Sequence, residues 1–355
     1  MILEDKIVVV TGGTGSLGHV LTHRLLSGEK GTPEKVILFS RGEEKQHDMR
    51  QAYVNRMFPL SEQTYQNAIH LLEFRIGDIR DYGDVCSVVK DADVVINAAA
   101  LKQVPACEYF PGQAMMTNCV GAMNLTRAIR ENSYAVETVV GISTDKACKP
   151  VNVMGMSKAI QERIFTSANV LSPQTRFICV RYGNVLASRG SVIPLFHKQI
   201  RSGGPVTVTI PEMTRFLLSL DQAVDTVFAA LEGANPGETY VPNAPSATVM
   251  NIARALIGER DIKIDMTGIR PGEKLHEIMV SEEERYHTAM RGDYYVILPM
   301  LPELIKDDGE DRRVLKNEYS SETMVLDLQQ TIDLLKQHDL MVDESGIIDD
   351  RALLR

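Results

Sequence analysis

The chain has 355 residues, 44% of them apolar and 24% charged, enough apolar surface to build a substantial buried core. Its formal charge of -9 and pI of about 5.5 exclude long-range attraction to nucleic acid or to an anionic membrane surface, so an anionic ligand must be met by local basic residues. Cysteines 86, 107, 119, 148 and 179 show no C-x-x-C spacing, and there is neither a signal-like N-terminus nor an apolar run long enough to span a bilayer, so a soluble, reduced, cytoplasmic protein without metal is expected.

From the N-terminus, IVVV (7–10) reads as a strand and TGGTGSLGHVLTHRLL as the turn and helix that follow it. Gly12, Gly15 and Gly18 stand where a tight turn, close backbone approach to a pyrophosphate and a helix N-terminus are needed together, with Thr14, Ser16 and Leu17 between them. KVILFS (35–40) reads as the second strand. A carboxylate at its end would bind the free ribose hydroxyls of NAD; Ser40 and Arg41, with Lys45 one helical turn on, suit a 2′-phosphate, so NADP is favoured and NAD is the alternative.

HLLEFRIGD (70–78), ADVVINAA (92–99), VETVVGIS (136–143) and RFICVRYGN (176–184) continue the series, alternating with helical stretches. Such alternation implies right-handed crossovers and a doubly wound parallel sheet, a Rossmann-type α/β fold. Asp78 and Ile79, just past the third strand, are placed to meet the adenine.

The expected organisation is a dinucleotide-binding domain over 1–184 plus about 211–245, a smaller second lobe over 185–210 plus about 246–290, and an extension over 291–355. In the extension, Leu328, Ile332 and Leu335 predict a helix.

TGGTGSLG, SRGEEKQ, NAAALKQVP, STDKACKPVNVMGMSK, VRYGNVLASRGSVIP and GIRPGEKLHE together resemble the extended short-chain dehydrogenases. More narrowly, they resemble the UDP-N-acetylglucosamine 4,6-dehydratases of capsule and flagellin-sugar synthesis, on the side that inverts C5. The resemblance covers about residues 5 to 285. It implies a UDP-sugar substrate, a tightly held NADP, and a homo-oligomer, either a dimer or a hexamer built from dimers. Ala98, Ala99, Lys102, Lys158 and Val185 then join the cofactor set. Lys102, Asn184, Arg189, Val192, Thr207, Arg215, Arg270 and Glu273 form the substrate set.

The chemistry so implied is an internal redox cycle in which C4 is oxidised, water leaves across C5 and C6, and C6 is reduced. STDK supplies an acid and a base at the carboxyl end of a strand: Asp145 to protonate the departing C6 hydroxyl, Lys146, with a lowered pKa, to take the C5 proton, and Thr144 beside them. Lys158 is expected to hold the nicotinamide ribose. Met154 stands one turn before it, where the wider family has Tyr, and a thioether relays no proton. The base for the C4 hydroxyl is therefore open among Lys146 serving twice, a Thr144-linked water, and a water on Lys158. A UDP-sugar 4-epimerase, a C5-retaining dehydratase and a non-catalytic NADP-binding regulator are the competing readings.

Overall fold

The computed structural model describes residues 1–186, 191–305 and 314–342. Six strands, β1 (Ile7–Thr11), β2 (Lys35–Ser40), β3 (Leu72–Ile76), β4 (Val94–Asn97), β5 (Thr138–Thr144) and β6 (Arg176–Tyr182), lie parallel in the order β3-β2-β1-β4-β5-β6. All six coincide with the β-branched runs of the sequence. Their central members are buried on both faces, as the continuous Val/Ile runs require of a sheet covered by helices on each side.

The sheet extends past β6 through Thr239–Pro242, which is parallel to it. A hairpin, Tyr294–Ile297 and Thr288–Arg291, then closes that edge antiparallel. The boundary expected at 291 falls inside this hairpin. The turn leaves only Gly292 and Asp293 between the paired Arg291 and Tyr294, and Gly292 has a φ of 59° that a glycine adopts without steric cost.

A second core gathers Ile193, Phe196 and Ile200 of the helix Val192–Arg201 with Ile252 and Leu256 of the helix Val249–Ile257. Leu335, from the helix Leu328–Gln337, is buried in the same cluster. The C-terminal helix is thus part of the smaller lobe, because its Thr331 and Leu335 face is covered there. Further back, Tyr319–Ser320 pairs with Ile278–Val280 and ties the chain to the segment that follows RPGEK.

Candidate active site

At the carboxyl end of β1, each glycine of the turn meets a different demand. Gly12 has a φ of 68°, and a Cβ there would stand 2.8 Å from the Ala99 backbone, so the loop after β4 packs directly on it. Gly18 lies against the Gly13 carbonyl, where any side chain would collide. Gly15 has only the Gly12 carbonyl oxygen within reach of a Cβ, at 3.3 Å, and the helix Ser16–Ser27 that it opens has no side-chain cap. A turn open on that side and an uncapped helix start fit the pyrophosphate of a dinucleotide. Thr14 and Leu17 border the turn, and Ala98 packs against the large core.

Around β2, the Ser40 hydroxyl accepts from Gln46 Nε2 at 3.0 Å and from Thr14 Oγ1 at 3.4 Å. Arg41 Nη1 is 3.6 Å from Asp78 Oδ2, and Lys45 is exposed on the helix Glu43–Val54. The Asp78 carboxylate is already forked by Arg80, whose Nη2 lies 2.6 Å from Oδ2, and this pairing holds it below the usual carboxylate range against the opposing effect of burial. Arg80 is a residue the sequence reading omits, although it follows Asp78 and Ile79 directly. Ile79 is buried against Gly121.

The acid-base group forms where β5 ends. Thr144 caps a short turn, Asp145–Ala147, and its hydroxyl donates to Asp145 Oδ1 at 2.8 Å. Lys146 Nζ reaches Asp145 Oδ1 at 3.1 Å and Glu277 Oε1 at 3.0 Å, with Arg215 Nε 3.9 Å from the same Glu277 oxygen. Asp145 is 0% exposed and Glu277 2%. Asp145 Oδ2 and Glu277 Oε2 are buried without a hydrogen-bond partner among the described residues.

Burial raises the Asp145 carboxyl above its ordinary value despite the ammonium beside it. Glu277 goes the other way: burial opposes its ionisation, but Lys146 and Arg215 together hold it below the usual range. Lys146 departs from expectation. Burial works to lower its pKa, yet the two flanking carboxyl groups raise it above 10.5, so the lowered value anticipated from the sequence is corrected.

Behind this group runs the helix Val153–Leu171. Its Gly155 lies on the Lys146 carbonyl, so a side chain there would push the helix away from the turn. Asn152 caps the helix through Gly155 N at 2.8 Å and donates to the Gly272 carbonyl at 2.8 Å, which docks the RPGEK loop at the same place. Lys158 is 5% exposed and donates to Gln161 Oε1 at 2.8 Å; burial lowers its pKa to about 8. Met154 is buried with Cys107 and Ala114 in a small apolar cluster, a packing position and not a proton carrier. Asn118, also missing from the sequence reading, joins Leu101 of the loop after β4 to Ser157 of this helix, from within a π-helical stretch, Met115–Val120.

The expected substrate residues are not gathered uniformly. Asn184 follows β6 with its side-chain oxygen buried and unpartnered among the described residues, and Val185 bridges to Leu218. Arg215 is buried, its guanidinium donating to the Thr214 and Leu275 carbonyls, so its charge serves Glu277. Arg270 is exposed, 4.0 Å from Glu273, and Lys102 is exposed on the loop after β4. Val192 opens its helix, and Arg189 lies outside the described residues. Thr207 lies in the short strand Val206–Val208, where Gln199 accepts from its amide at 3.0 Å and donates to its hydroxyl at 2.8 Å.

Glu277 is the main residue that sequence reasoning missed. It lies inside the quoted GIRPGEKLHE, and its signal was an acid in a segment already suspected of lining the site. The described residues hold no cluster of His, Cys, Asp and Glu suited to a metal, and no helix long and apolar enough to cross a membrane.

Residues 8–299 match the family described as polysaccharide biosynthesis protein. A protein of Rickettsia bellii (strain OSU 85-389) named UDP-glucose 4-epimerase is 40% identical over 351 residues, 96% of this chain and 98% of the relative. Among solved structures, Pen from Bacillus thuringiensis superposes with a TM-score of 0.85 at 31% identity, covering 96% of this chain and 100% of that one. The dTDP-glucose 4,6-dehydratase DesIV from Streptomyces venezuelae, solved with NAD bound, shares the fold at a TM-score of 0.64 and 20% identity, over 76% of this chain and 86% of that one. A match over most of its length, joined to the glycine turn and the buried acid-lysine group at one end of a doubly wound sheet, shows that the chain belongs to the polysaccharide biosynthesis protein family.

Proposed function

We propose that the protein is a nucleotide-sugar 4,6-dehydratase that converts UDP-N-acetylglucosamine to a 4-keto-6-deoxy product, with inversion at C5. The observation that carries this reading is a fully buried Asp145 with a raised pKa beside Lys146, because elimination of the C6 hydroxyl needs a proton donor that rearrangement at C4 alone does not. NADP, held by Gly12, Gly15, Gly18, Ser40 and Arg41, would supply the hydride acceptor and return the hydride. Asp145 protonates the leaving oxygen, and Lys146, once neutral, takes the C5 proton. For the C4 hydroxyl, the Lys158 side of the site is supported by that ammonium's pKa of about 8, close to working pH. Asn184, Arg270 and Glu273 are assigned to the UDP-sugar.

A cytoplasmic homo-oligomer, a dimer or a hexamer built from dimers, completes the proposal. The exposed Phe110, Met115 and Met116 supply apolar surface for it, and light scattering tests it.

The second reading, a UDP-sugar 4-epimerase, is favoured by the name of the Rickettsia relative. Incubation with UDP-N-acetylglucosamine in deuterated water, followed by NMR, separates the two. The dehydratase yields a 4-keto sugar with a C6 methyl group and deuterium at C5; the epimerase yields the galacto isomer with C5 and C6 untouched.

A further inference from the structure

We propose that Glu277 is a positioning residue: it is the counter-ion of Lys146, and by holding that ammonium it lets Asp145 keep the proton that an elimination acid must donate. This inference rests on the dehydratase reading. Two carboxyl groups, both almost fully buried, share one ammonium at 3.1 and 3.0 Å, and the second buried cation, Arg215, lies beside Glu277, so an ionised Asp145 would have to rely on a lysine that is already paired. The negative charge belongs on Glu277. It has Lys146 on one side, Arg215 Nε at 3.9 Å on the other, and Lys274 close enough to lower its pKa further. Asp145 has Lys146 as its only salt-bridge partner among the described residues. Its Oδ1 accepts from both Thr144 and Lys146, which leaves the buried Oδ2 to carry the proton.

Glu277 is also fixed independently of the substrate. Its amide donates to Ser321 Oγ at 2.9 Å, its carbonyl accepts from Ser321 N at 2.8 Å, and Ser321 Oγ pairs with Thr214 Oγ1 at 2.6 Å. The C-terminal segment thereby sets the position of the counter-ion.

The charged and titratable groups facing Lys146 are Asp145 on its own turn, Glu277 and Lys274 from the RPGEK segment, and Arg215 from the strand Thr214–Phe216.

Infrared pH titration of the full-length protein reads the carboxyl protons directly. Wild type should show a carboxylic-acid carbonyl band at neutral pH that is missing from Asp145→Asn. Glu277→Gln should lose the band, because Asp145 becomes the counter-ion of Lys146 and its titration moves down by about one to three pH units. Glu277→Asp should restore it in part. A band that persists in Glu277→Gln with wild-type pH dependence overturns the proposal, as does a wild type without the Asp145 band. That last result is read on the unmutated protein, so the test survives a variant that does not fold. Turnover followed in parallel keeps the two claims apart: an Asp145 band without any 4-keto product sinks the dehydratase reading and leaves the charge assignment standing.

Discussion

Replacing Lys158 by Met tests whether the site stores a buried, strained charge. The ammonium is 5% exposed, and its hydrogen-bond partner is the neutral Gln161. Burial lowers its pKa from 10.5 to about 8. At ~1.4 kcal/mol per pH unit, that difference corresponds to about 3 kcal/mol of folding free energy.

The sign follows from the direction of the shift. Below the folded-state value the lysine is charged in both states, and the folded protein bears the full penalty. As pH rises from about 8 to 10.5 the folded lysine is neutral first, and the penalty fades until both states are neutral. Lys158→Met removes that penalty and strands Gln161 Oε1, at a pH-independent cost of about 1–3 kcal/mol. Urea unfolding of both proteins should therefore show the variant's stability, relative to wild type, falling by about 3 kcal/mol between about pH 7 and about pH 11. A difference that stays flat across that range refutes the buried charge.

Other outcomes follow from the same geometry. Gly15→Ala should leave thermal stability nearly unchanged while weakening NADP binding in calorimetry, since its Cβ meets only a carbonyl oxygen at 3.3 Å. Gly18→Ala should cost on the order of 1–3 kcal/mol in urea unfolding, because its Cβ strikes the Gly13 backbone. Arg181→Met leaves the buried Glu162 and the partly buried Glu284 without the guanidinium that lies 2.7 and 2.8 Å from them, so unfolding should become easier by about 3–5 kcal/mol. Arg41→Ala should lower the preference for NADP over NAD in competitive binding, and an unchanged ratio would remove Arg41 from 2′-phosphate recognition.

The parallel sheet was legible because its strands are short β-branched runs bounded by glycine, asparagine or a helix start, a pattern that local chemistry alone produces. The turn at Gly12 was legible for the same reason. The edge hairpin at Gly292 and Asp293 carried a readable two-residue turn signal, but its strands are only four residues long and follow an irregular lobe. What the sequence could not show was the charge state of Lys146. Asp145 is its neighbour in the chain, whereas Glu277 and Arg215 arrive from distant segments through the Ser321 and Leu275 contacts. A pKa depends on those neighbours, so the residue was identifiable and its proton was not.

The most direct measurement follows a deuterium placed at C4 of UDP-N-acetylglucosamine through turnover by the purified protein. The account requires that label to appear in the C6 methyl group of a 4-keto product, with Asp145→Asn abolishing the transfer. Label found at C4 of the galacto isomer, with C6 still hydroxylated, would contradict it.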